Sequence, residues 1–152
     1  MTDSHDLTAL VASAWEAVDD PSAARRDLSL DAIGDALETG RLPQDEVERA
    51  AERLVTLALS PKGDEVRESA LHALCVAAGQ YQLPYRTLAP LAEHGDDFGP
   101  VLLPYVLAAV SSTHDRQALP LVQRYLRHPH PEVRGEAAEA LHELRMGTAV
   151  PD

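Results

Sequence analysis

Two stretches of this chain, EVRESALHALCVA at 65–77 and EVRGEAAEALHEL at 132–144, are variants of one pattern. Counting from Arg67, alanine stands three and six residues on, at Ala70 and Ala73, and leucine seven on, at Leu74. From Arg134 the same offsets fall on Ala137, Ala140 and Leu141, and the tenth positions, Ala77 and Leu144, are both apolar. Each arginine follows Glu-Val, and each stretch follows a proline turn, SPKGD or HPHP. The arginines are 67 residues apart, about twice a 33-residue period, which puts a middle copy near Pro100. There Leu103, Val106, Leu107 and Val110 fill the apolar slots, although the arginine is absent and Pro104 interrupts the run. A unit of this kind cannot bury its apolar face alone. Repetition therefore limits the chain to an array of like elements packed on one another.

Periodicity and punctuation place eight helices. The first spans residues 5–18, with Leu7, Leu10, Val11, Ala14, Trp15 and Val18 on one apolar face. The others are expected at 22–38, 43–59, 64–79, 84–94, 98–111, 115–127 and 131–146, separated by Gly- and Pro-containing turns. In the third, Val47, Ala50, Ala51, Leu54 and Ala58 point inward; in the seventh, Leu119, Val122 and Leu126 do. The sixth is apolar nearly all round, as a helix between neighbours must be. The first and the eighth are one-sided, as end caps of an open stack must be. The tail GTAVPD is expected to fray.

The pattern resembles HEAT repeats, in particular the bacterial subgroup called PBS-lyase HEAT-like. Its second helix opens with a proline turn followed by Val-Arg-x-x-Ala-x-x-Ala-Leu. Agreement is good at 66–74 and 133–141, partial at 98–110 and poor before residue 40, so the resemblance covers roughly two-thirds of the chain. It implies an all-α fold, a right-handed α-solenoid of about four antiparallel helix pairs: 5–38, 43–79, 84–111 and 115–146, in a single domain over 1–152. It says almost nothing about activity.

Charge narrows the partner. The chain of 152 residues has a net charge of -12. Nucleic acid and anionic membrane surfaces are polyanions that demand a Lys/Arg stripe, so neither is expected as a partner. An acidic field instead steers a basic protein toward the surface. Residues 1–68 hold 16 acidic and 7 basic side chains; residues 69–152 hold 9 and 6. The first half thus carries most of the field. All cations except Lys62 are arginine, a usage that points to a bacterial source. The start, MTDSHDLTAL, has neither the basic nor the apolar region of a signal peptide, and no apolar run approaches the ~18 residues of a membrane span, so a cytoplasmic location is expected.

Motifs for chemistry are sparse. There is no glycine-rich phosphate loop, no nucleophile elbow and only one cysteine, Cys75, which is expected in the core. His128 and His130 flank Pro129 in a turn and need further ligands to hold a metal. Deoxyhypusine hydroxylases, which resemble this repeat design, bind two irons through about four His-Glu pairs; here only His142-Glu143 is a strict pair. HEAT enzymes that excise alkylated bases carry a basic concave face, which this charge balance contradicts. No cofactor and no metal are expected.

Two surfaces are candidates for a partner. In the second helix Asp27, Asp31, Asp35 and Glu38 share one face, and no cation follows them within the helix; Arg25 and Arg26 stand at its start. Like charges at that spacing destabilise a helix by a few tenths of a kcal/mol per pair, so the stripe is either a solvated face or a docking face. In HEAT-like solenoids the second helix of each pair lines the concave side. There the exposed edge of the fourth helix holds Glu68, His72, Cys75 and Gly79. The repeat carries these slots to Val101, Tyr105 and Ala108, then to Gly135, Glu139 and His142, giving a row His72, Tyr105, Glu139. The expectation is a monomeric, non-catalytic module for protein–protein interaction. Its most specific form is a bacterial immunity protein that occludes a basic toxin domain. The alternatives are a general scaffold or adaptor, or a HEAT-type enzyme that is bilin lyase-like or metal-dependent.

Overall fold

The computed structural model describes residues 4–20, 22, 25–60 and 63–148. Among these the chain is all-helical, with eight α-helices: α1 (Ser4–Asp19), α2 (Arg26–Glu38), α3 (Gln44–Leu59), α4 (Asp64–Gln80), α5 (Tyr85–Glu93), α6 (Leu103–Ser111), α7 (Leu119–Tyr125) and α8 (Pro131–Thr148). Single 3-10 turns lie at Gly95–Asp97 and Arg116–Ala118. The helices fall into two compact units, Met1–Tyr81 and Gln82–Asp152.

In the first unit α1 packs on α2, α3 on α4, and α2 on α4. The core is aliphatic: Leu30, Ile33, Leu37, Leu54, Leu71 and Leu74 are fully enclosed. The seam between α2 and α4 is closed by small residues, since a Cβ built on Gly34 would lie 3.5 Å from the Cβ of Ala73. Between α1 and α3 the contact is polar and stacked. The Arg53 guanidinium lies 4.0 Å from the Trp15 ring centroid and donates to both carboxylate oxygens of Asp19 at 2.6 and 2.7 Å. The Tyr81 hydroxyl accepts from the Leu42 amide at 3.0 Å, tying the end of α4 to the α2–α3 turn.

The repeat arginine has a local purpose. Arg67 Nε donates to the Ala58 carbonyl at 3.0 Å, in the last turn of α3. Arg134 donates to the carbonyls of His128 and Pro129 at 2.9 and 3.0 Å, in the turn after α7. Arg26 Nε donates to Val18 O at 2.6 Å, at the end of α1. Arg26 and Arg67, on the first turn of one helix, satisfy carbonyls in the last turn of the preceding helix, which have no amide partners within it, and Arg134 does the same for carbonyls of the turn. Each also sets a positive charge against the negative end of that helix dipole. Arg26 is therefore a copy of the motif that the resemblance did not reach, because it stands 41 residues before Arg67 instead of 33.

In the second unit α5 packs on α6, α7 on α8, and α6 on α8. The middle-copy slots Leu103, Val106, Leu107 and Val110 are all enclosed. Several boundaries differ from expectation. Helix α6 begins at Leu103, not at residue 98, with Pro104 in its first turn. Proline is tolerated there because its missing amide hydrogen would have no partner anyway. Residues 99–102 close as a turn on the Gly99 carbonyl. Helix α7 starts at Leu119 for the same reason, with Pro120 in its first turn after the 3-10 turn. Helix α2 starts at Arg26, while Ser22 sits in a turn held by the Asp20 carboxylate; residues 21, 23 and 24 and the tail from 149 lie outside the described residues.

Some expected core positions are not core. Leu10 is 53% exposed, so the enclosed face of α1 is narrower than its apolar face. Leu119, Leu126 and Leu141 are half-buried, and so is Cys75. In α7 the side chain that fills the core beside Val122 is Tyr125. Its hydroxyl donates to Asp96 at 2.6 Å, and a Cβ on Gly95 would come within 2.7 Å of that oxygen. Asp96 also pairs with Arg124.

Three outcomes are expected. Leu74→Asp and Leu144→Asp should each abolish the cooperative helical melt seen by circular dichroism, because an enclosed unpaired charge costs several kcal/mol against a total of about 5–15. Leu141→Asp, at a half-buried site, should keep it; a parental melt for Leu74→Asp would contradict the core described above. Separately, Arg26→Met and Arg67→Met should each lower stability in urea by about 1–3 kcal/mol, the range for a hydrogen bond from a charged donor, whereas exposed Glu68→Gln should be neutral.

Candidate functional site: acidic seams between second helices

The two units share a local design. Helices α2 and α4 in one, and α6 and α8 in the other, are the second helices of their hairpins and pack side by side. Their solvent edges carry most of the residues singled out from the sequence.

On α2, Asp31, Asp35 and Glu38 are exposed and Asp27 is half-buried. Helical spacing places these carboxylates on the solvent side of Gly34, the residue that meets α4. On α4, Glu65, Glu68 and His72 are exposed, and Glu65 is close enough to Arg25 for its charge to be felt there. The two sets border one seam. Arg25 sits at its head: its side chain bonds both oxygens of Asp27 at 3.1 and 3.2 Å. The bond and charge of Asp27 raise the Arg25 pKa, and the charges of Glu65 and Asp31 add to it. The same hydrogen bond lowers the Asp27 pKa. Relief thus reaches the first carboxylate of the stripe. Among the described residues no cation forms an ion pair with Asp31, Asp35 or Glu38.

In the second unit α6 and α8 enclose a groove of about 300 Å³, with Ala108, Ser111 and Ser112 on one wall and Glu136, Glu139 and Glu143 on the other. Both serine hydroxyls donate to the Ala108 carbonyl, at 3.0 and 2.9 Å. Glu143 is bound at 2.7 Å by His114 Nε2, from a residue whose φ of 56° lies in the left-handed region. Burial raises the Glu136 pKa, and the charge of Glu139 raises it further. Glu139 and His142 are exposed and Tyr105 is half-buried. Tyr105 lies one turn before Ala108 on α6, and Val101 stands in the turn before that helix, 68% exposed.

The expected row His72, Tyr105, Glu139 is therefore divided, with His72 in the first unit and Tyr105 and Glu139 in the second. Glu65, Glu136 and Glu143 are not among the partner residues expected from the sequence. All three were legible as acidic residues at helical spacing from chosen positions; what was absent was which helix lies across from them. Among the described residues no group of three or more His, Cys, Asp or Glu is arranged to hold a metal ion. No described helix is long and apolar enough to cross a membrane.

A family model described as HEAT repeat matches residues 118–144, which is the α7–α8 hairpin through Leu144. No curated protein and no solved structure matches the chain.

The titration of Glu136 has a definite sign. Its folded pKa lies above the unfolded one, so its contribution to stability is full below the unfolded pKa and is lost as pH rises through the folded pKa. Glu136→Gln should melt above the parent at neutral pH, with the gap closing on acidification to about pH 4. For Asp27, whose pKa is lowered, the dependence reverses: stability is present above the unfolded pKa and lost as pH falls through the folded one. Asp27→Asn should accordingly melt below the parent at neutral pH, and the two should converge in acid. Parallel melting curves for either pair across this range would refute the assigned environment.

Proposed function

We propose that this chain, which carries a HEAT repeat over residues 118–144, is a non-catalytic module that binds another protein through the acidic edges of its second helices. HEAT repeats commonly mediate protein–protein interaction, and a protein partner is the coarse part of the reading. The finer part is that the partner is basic. The observation that carries it is the α2–α4 seam, where Asp31, Asp35 and Glu38 stay exposed and form no ion pair among the described residues. Like charges at four-residue spacing work against the helix. A partner's Lys or Arg would offset that repulsion and be steered by the same field.

Within this class a bacterial immunity protein, acting in the cytoplasm as a monomer on a basic toxin domain, suits a small acidic chain with no recognisable set of catalytic residues. A general adaptor uses the same surface with a different partner. In this reading Glu68 and His72 border the first seam, and Tyr105, Glu139 and His142 the second. The enzyme alternatives, a bilin lyase-like or metal-dependent HEAT protein, find no supporting arrangement among the described residues. Stoichiometric iron in the purified protein would favour them over the binding reading.

Asp31→Asn with Asp35→Asn tests the seam directly. Both residues lie beyond the first turn of α2, so the fold should be unharmed and slightly stabilised. Against the partner retained from the native host, association should slow and its salt dependence flatten, while the parent loses rate as the Debye length falls below ~10 Å. If instead Tyr105→Ala speeds dissociation and the double variant binds like the parent, the site lies on the Tyr105 edge. Parental binding by both variants would remove both surfaces from consideration.

A further inference from the structure

We draw no further inference here: the strongest candidate, the groove between α6 and α8 walled by Glu136, Glu139 and Glu143, is an acidic cluster that belongs to the surface already described, and no deeply buried unpartnered group or bound species in it points to a ligand of its own.

Discussion

Three of the hairpins of this protein depend on one interaction, a guanidinium in the first turn of the second helix placed on carbonyls at the end of the first helix or in the turn just after it. Arg26 reaches Val18, Arg67 reaches Ala58, and Arg134 reaches His128 and Pro129. The last carbonyls of a helix have no amide partners of their own, and leaving them unsatisfied against a neighbour is unfavourable. A planar, permanently charged donor on the next helix meets that need and complements the dipole. It also fixes where the second helix begins relative to the end of the first. The aliphatic positions that follow, three to eleven residues on, then fall on the side facing the core. The repeat arginine thus sets the register of these three hairpins, while the α5–α6 hairpin lacks it.

This use of arginine has an electrostatic consequence. Arg53 is engaged with Trp15 and Asp19, and Arg124 with Asp96. Arg26 and Arg134 are turned toward carbonyls. These arginines serve structural contacts, and acidic residues outnumber basic ones enough to leave a net charge of -12. Where carboxylates crowd into a partly closed groove, burial pushes Glu136 toward its protonated form. Where they line an open seam, Asp27 is tied down by Arg25. The two seams therefore differ in character. The first is exposed and charged; in the second, burial raises the pKa of one carboxylate.

Small residues decide how closely the elements approach. Gly34 lets α2 lie against Ala73 of α4, and Gly95 leaves room for the Tyr125 hydroxyl to reach Asp96. Neither glycine is needed for an unusual backbone angle. Gly95 is needed for space, since a Cβ there would lie 2.7 Å from the Tyr125 hydroxyl, whereas a Cβ on Gly34 would make an ordinary contact with Ala73.

The helical class, the number of helices, the turns at Gly and Pro and the core slots Ala70, Ala73, Leu74 and Ala77 were legible in the sequence, because each follows from spacing along a single helix. So was the acidic stripe of α2, since residues four apart share a face whatever lies opposite. The shorter α6 and α7 were not, because a proline in a helical pattern can stand inside or at the start, and packing chose the start. Leu10 and Leu141 were read as core from their own helices, but burial depends on what covers a face, and there the neighbours fall short. Arg26 was hidden by its spacing, and its partner carbonyl is named by no residue type. The sequence by itself determined which side chains share a face, through the 3.6-residue turn. Only the tertiary structure decided which faces meet, because interhelical contact joins residues that no period relates: Gly34 to Ala73, Arg26 to Val18, and Glu136 to the wall of α6.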